Sequence, residues 1–340
     1  MELAPFGVLN EGYRNLLKDG PGEAGVFQPM KKWPKGKDAY HELMEKWLED
    51  VKKNIWPEWK NGKWLGAAKA QKEESTKKEM ELAARLYFGT DGGRDIMDED
   101  PDIPKAPDGC LRSHKWHYEI EDAFIYDLVY SFITLPNPTY NYRASRNVGS
   151  NFIVYNADFE VSRFEKMFWD RIGEVVPATW DIKQQFQRPR PWTAATLLDV
   201  RGFRWLVAGG EYATHTGIHP SLLSGHCIQG ILGGCQVFSA LLENHESLTR
   251  DCIRAIQKYM VDWGDRRVFA GVHYMTDNIA SWTLARRLMP HLFSKEVGQL
   301  AVQAITENSR VFADIVRYFD KDDPALVMLL TDFPEARPAA

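Results

Sequence analysis

Apolar side chains recur at helical spacing along much of the chain, with charged positions between them marking solvent-facing stripes. Residues 38–54 show this pattern, and residues 65–88 repeat it up to Gly89. The stretch from Gly89 to Gly109 is rich in Gly, Pro and Asp and reads as a long loop or linker. Beyond it, the spacing predicts helices near residues 115–134, 157–174, 225–244, 248–262, 274–288 and 296–318. Extended alternation is scarce, and no internal repeat or low-complexity segment stands out. The expected fold is all-α: an N-terminal helical extension and linker over residues 1–110, then a helical-bundle core over residues 111–340.

Composition narrows the function classes. The 340 residues are 44% hydrophobic and 26% charged, with a net charge of −5, as in an ordinary soluble globular protein. No basic stretch is interleaved with aromatics, so a nucleic-acid surface is not expected. The lysine runs near residues 31–37 and 71–78 are broken by acids or apolar residues and read as solvated helix faces. No apolar run reaches the roughly 18–20 residues a membrane span needs, and Cys227 to Leu242 is expected as a buried helix. The start, Met1-Glu-Leu-Ala-Pro-Phe-Gly, lacks the pattern of a secretory signal, which points to a cytoplasmic protein, or an exported one whose leader has been removed. Cys110, Cys227, Cys235 and Cys252 form no CxxC pair. Cys227 and Cys235 would stand about 12 Å apart on one helix, too far to bridge, so a reducing compartment is the simpler reading. The sequence leaves the oligomeric state open.

Three clusters in the second half carry candidate chemistry. The first, Lys183 to Pro191, holds Lys183, Arg188 and Arg190, with Pro189 and Pro191 disfavouring a helix around Arg190. Guanidinium forks match two oxyanion oxygens at once. The second, His219 to His226, places Ser224, Gly225 and His226 just before an apolar run, at a helix N-terminus suited to an anion. His226 is suited to proton transfer near neutrality. The third holds Arg267, His273 and Asp277. Asp277, one helical turn beyond His273, can fix the imidazole tautomer and leave its other nitrogen as a nucleophile, while Gly271 suggests a bend that turns both Arg267 and His273 inward. Each cluster alone also fits an ordinary role: a basic turn anchored by Trp192, an N-cap serine, a surface His–Asp pair. Together they make an inventory for holding and attacking a tetrahedral oxyanion. His114, His117, His215 and His219 have no comparable partners and read as structural, and no metal site is expected.

The clusters resemble the signature of the phosphatidic acid phosphatase type 2 and vanadium haloperoxidase superfamily, which runs K-x6-RP, PSGH and SR-x5-H. Lys183 to Arg190-Pro191 and Arg267 to His273 match in spacing. The double arginine and the Ala270 to Asp277 segment are most similar to soluble bacterial acid phosphatases. Leu223 stands where the family has proline, with Pro220-Ser221 three residues earlier, and Arg266 stands where it has serine. The resemblance spans roughly residues 180–290 and implies a metal-independent phosphatase on an acid-phosphatase-like bundle, with a small phosphate ester as substrate. In it, His273 would form a phosphohistidine and His226 would protonate the leaving oxygen, then activate water. Lys183, Arg188, Arg190, Ser224, Gly225 and Arg267 would hold the phosphate. The alternative it implies is a haloperoxidase whose cofactor, vanadate, sits in the same pocket on His273. Arg188-Pro-Arg190-Pro and Thr276-Asp277 favour the phosphatase, and His219-Pro-Ser leans the other way.

Overall fold

The computed structural model describes residues 38–55, 59–60, 63–64, 69–88, 182–183, 185–203, 220–244, 250–269 and 271–337. The expected linker, the boundary near residue 110 and the helices expected at 115–134 and 157–174 lie outside them. Helix dominates the described residues, and the strands among them are one antiparallel pair, β1 (Trp59–Lys60) and β2 (Lys63–Trp64). The all-α expectation holds. Among the described residues, no helix is long and apolar enough to cross a membrane.

Helix α1 (Asp38–Asn54) buries Met44, Trp47, Leu48 and Val51 at i, i+3, i+4 and i+7, while Glu45, Lys46, Glu49 and Lys52 face out. Helix α2 (Lys69–Ala83) is less orthodox, because its buried face mixes Lys72, Thr76 and Glu79 with Met80 and Ala83. It runs into a π-helical turn, Ala84–Phe88, from which the Tyr87 hydroxyl donates to Asp314 Oδ2 at 3.0 Å. A short helix α3 (Pro191–Leu197) starts on Pro191, whose missing N–H costs nothing at that position.

Two long helices, α4 (Gly225–Asn244) and α5 (Arg250–Phe269), form an extensively packed pair. They approach closely because Gly230 and Gly234 on α4 lie against Met260 and Trp263, and Gly264 on α5 lies against Cys227. Cys227 and Cys235 are free, buried thiols, as their spacing required, and Cys227 lies in this contact. Helix α6 (Met275–Leu292) is buried on every side from Met275 to Ala285 and packs against α1, α4 and the C-terminal helices. The Trp47 indole N–H donates to Thr283 Oγ1 at 3.1 Å, and Arg287 pairs with Asp50 at 2.7 Å, so α1 is tied directly to α6. The described N-terminal helices thus share one apolar core with the C-terminal ones.

The single helix expected over 296–318 is broken. Helix α7 (Lys295–Gln303) passes through a π turn, Ala304–Asn308, stops at extended Ser309, and resumes as α8 (Arg310–Tyr318). The break is stabilised from outside: the Asp265 carboxylate on α5 accepts from the Ser309 hydroxyl and from the N–H groups of Arg310 and Val311. Those donors would otherwise be orphans of a new helix start. Helix α9 (Pro324–Asp332), capped by Asp323, closes the bundle, and Trp282, Phe312 and Phe333 stack edge to face between α6, α8 and the end of α9.

The two α4 glycines predict different costs. A methyl on Gly230 would sit 2.5 Å from the Met260 carbonyl oxygen, which is backbone, whereas one on Gly234 meets only the Met260 side chain. Gly230→Ala should therefore destabilise the protein by about 2 kcal/mol or more through overpacking. Gly234→Ala should cost less, because Met260 can change rotamer. Denaturant midpoints of the two variants check the order.

Candidate active site

The turn after α5 is built for a buried histidine. Gly271 takes φ +68, a left-handed conformation suited to glycine, and its N–H returns to Val268 O at 2.9 Å. The Arg267 carbonyl then accepts from the N–H groups of both Val272 and His273, each at 3.1 Å. Helix α6 begins two residues beyond His273, and Asp277 in its first turn accepts from the Tyr274 N–H at 3.1 Å. Arg267 and His273 are both buried, as the expected bend at Gly271 required.

Asp277 is fully buried and accepts from several sides. Its Oδ2 takes the His273 Nδ1 proton at 2.8 Å and the Ser221 hydroxyl proton, and its Oδ1 takes an Arg188 NH1 proton at 2.7 Å. Burial works against the carboxylate charge, but Arg188, His273 and Ser221 outweigh it and hold Asp277 well below the usual range. His273 is held well below its ordinary value by burial first and then by Arg190, despite Asp277. It is therefore neutral near pH 7, with the proton on Nδ1 and a lone pair on Nε2. An Arg190 NH1 group lies 2.9 Å from that Nε2 and 2.6 Å from the Val272 carbonyl.

The loop before α4 is pinned from beneath. The Lys183 ammonium donates to the carbonyls of Pro220, Ser221 and Leu223 at 2.9, 2.9 and 2.6 Å. The Ser221 N–H donates to the Arg188 carbonyl at 2.9 Å, joining the first two clusters through backbone as well. Ser224 caps α4, with its hydroxyl accepting from the Cys227 N–H at 3.3 Å. Ser281 on α6 donates to the Ser224 carbonyl and lies in bonding range of the Asp277 carbonyl, at 2.9 and 2.8 Å. The N-terminal ends of α4 and α6 are therefore fastened together, and both present the positive end of a helix. Gly225 and His226 form the first turn of α4, half-buried, with the His226 ring 6.0 Å from that of Trp263.

All the sequence-predicted residues lie in these three joined segments, but their tasks differ. Lys183 has its three protons committed to carbonyls and acts as a brace. Burial, then Arg190 and Arg267, lower its proton affinity well below normal, against the pull of Asp277. Arg188 spends its fork on Asp277 and on Thr276 Oγ1, at 2.7 and 2.9 Å, with its guanidinium 3.9 Å above the Tyr274 ring. Arg190 is the cation at hydrogen-bond distance from His273 Nε2, the ring nitrogen that Asp277 does not take.

Sequence reasoning missed Ser221, Tyr274 and above all Glu79. This carboxylate reaches in from α2, accepting from Thr276 N–H at 2.7 Å and from Thr276 Oγ1 at 3.0 Å, and stands 3.6 Å from Arg188. Its one visible signal was an acid on the stripe shared by Thr76, Met80 and Ala83. Among the described residues, no cluster of His, Cys, Asp and Glu is arranged to hold a metal ion. Comparison with known proteins finds no matching family model, no matching curated protein and no matching solved structure.

The brace is testable. Lys183→Met leaves three carbonyls without their donor and should destabilise the protein by about 3 kcal/mol. Lys183→Arg should not restore it, because a planar fork cannot send three donors to one converging set of oxygens. Chemical denaturation of both variants measures this.

Proposed function

We propose that the site is that of a metal-independent phosphatase acting through a phosphohistidine on an acid-phosphatase-like helical bundle. The observation that carries the reading is the state of His273: neutral, its Nδ1 proton given to Asp277, its Nε2 lone pair aimed at Arg190. An imidazole held this way is a ready nucleophile, and the cation beside it is placed to receive phosphoryl oxygens. Burial first and then Arg190 lower the proton affinity of both Lys183 and His273, and an oxyanion bound beside them would offset the part due to Arg190.

In this mechanism Nε2 attacks phosphorus in line and the bond to the ester oxygen breaks. His226, in the first turn of α4, gives that oxygen a proton. Arg190, Arg267 and the exposed N–H groups at the start of α4 hold the equatorial oxygens. His226 then takes a proton from water as the water oxygen attacks phosphorus and the P–N bond breaks, returning neutral His273. Asp277 stabilises the positive charge on the imidazole while the phosphohistidine exists, and Arg188 and Ser221 keep Asp277 in place. Lys183 acts on the anion through its charge and through the loop it braces.

The runner-up, a vanadate-dependent haloperoxidase, fits the same donor set, because His273 Nε2 is the nitrogen left available for an apical ligand. The His219-Pro220-Ser221 sequence is what leans toward it.

Two outcomes are expected. Rapid acid-free denaturation after mixing with ³²P-labelled aryl phosphate should leave label on His273, and His273→Ala should lower turnover about a thousand-fold or more. Label on another residue would remove the nucleophile assignment. Phosphate release should persist in the presence of a chelator, with vanadate as a competitive inhibitor that mimics the trigonal-bipyramidal transition state. Peroxide-dependent bromide oxidation by the vanadate-loaded protein, together with negligible phosphate release, would put the runner-up first.

A further inference from the structure

The residue that the phosphatase mechanism leaves unused is Glu79, yet it touches the mechanism at two points. It caps the start of α6 from outside, taking the Thr276 N–H, and it faces the Arg188 guanidinium that holds Asp277. The path from Glu79 to His273 is unbroken: Glu79 to Thr276 Oγ1 at 3.0 Å, Thr276 Oγ1 to Arg188 at 2.9 Å, Arg188 to Asp277 at 2.7 Å, Asp277 to His273 at 2.8 Å. All five side chains are buried.

We propose that Glu79 is a positioning residue whose ionisation sets how strongly Asp277 holds His273, so that the N-terminal helix α2 makes the site more competent as Glu79 loses its proton. The inference rests on the hydrolase reading of the same site. When Glu79 is ionised, Arg188 divides its charge between two carboxylates, and Asp277 keeps more negative charge to offer His273. When Glu79 is neutral, Arg188 is left to Asp277 alone, and the pull on the imidazole Nδ1 proton weakens.

The surroundings allow this change within an ordinary pH range. Burial pushes Glu79 up to about 7, against the lowering effects of Arg188 and of the Thr276 N–H. Facing it are Arg188 from the segment before α3, and Tyr274 and Asp277 from the start of α6. A groove of about 580 Å³ between α2 and the turn joining α8 to α9 is lined by Glu79 and Thr276, which gives protons a route in. Lys78 and Arg85 line that groove from α2's side, and Asp320, Asp322 and Asp323 from the turn. His273 is not the source of a transition near 7, because it is held neutral well below its ordinary value.

The test uses the full chain and two readouts. One is the low-field ¹H NMR resonance of the hydrogen-bonded His273 Nδ1 proton, followed from pH 5.5 to 8.5 at about half-unit steps across the range set by Glu79. It should move through a single transition near pH 7 in the wild type, persist in His226→Gln, and stay fixed in Glu79→Gln, which keeps the shape and one acceptor. The other is the pH dependence of kcat on an aryl phosphate. The wild type should show a rising limb at that pH, and Glu79→Gln should lose it and run about three- to tenfold slower at pH 8. A wild-type resonance that does not move near pH 7, or one that moves equally in Glu79→Gln, overturns the proposal without needing the variant to be active. A resonance that behaves as expected in a protein with no phosphate release leaves Glu79 coupled to His273 and overturns the hydrolase reading instead, and with it the activity part of the proposal.

Discussion

Asp277 sits at the centre of the described structure with no exposed surface, where an unpaired carboxylate would cost several kcal/mol. It is stable there because donors reach it from three separate stretches of chain: Arg188, Ser221 and the His273–Tyr274 turn. Those stretches are the same three that carry the candidate chemistry. The carboxylate therefore does two things at once, tying the segments together and fixing the imidazole tautomer. Removing it would leave Arg188 with Glu79 as its remaining carboxylate and would free the Ser221 and His273 donors, so loss of function and loss of fold should be hard to separate at this position.

Around that centre the described residues gather buried positive charge. Lys183, Arg188, Arg190 and Arg267 are all buried, and the N-terminal ends of α4 and α6 point to the same place. Burial first, then Arg190 and Lys183, lower the proton affinity of His273. The turn at Gly271, in a left-handed conformation that glycine adopts freely, holds His273 by its backbone so that its ring lies beside Arg190.

Much of this was legible in the sequence because charge at fixed spacing is a local signal. Helical period gave α1, α4 and α6 nearly to their ends, and the His–Asp spacing gave the hydrogen bond that orients the His273 ring. What could not be read was set by partners distant along the chain. The break at Ser309 depends on Asp265, more than forty positions away, and nothing in the periodicity of 296–318 announces it. The division of labour among the cations was also hidden, because Lys183 becomes a brace only when the carbonyls of the Pro220–Leu223 loop converge on it. Glu79 was the hardest case: its partners lie nearly two hundred residues on, and on its own helix it looks like one more acid among many.

The Arg188-Pro-Arg190-Pro sequence shows how local chain geometry serves the centre. Arg188 holds the carboxylate end of the Asp277–His273 pair and Arg190 stands at its nucleophilic end. Two residues in extended backbone span about 6–7 Å, which suits groups that must straddle a hydrogen-bonded carboxylate and imidazole. In a helix the same two residues would be about 3 Å apart along the axis and would point in nearly opposite directions. Pro189 and Pro191 exclude that outcome: Arg190 is extended at φ −65 and ψ 153, and the helix begins only at Pro191. The prolines thus convert a pair of adjacent charges into a clamp with two distinct ends. One end holds Asp277, and the other bonds to the Val272 carbonyl and lies beside His273 Nε2.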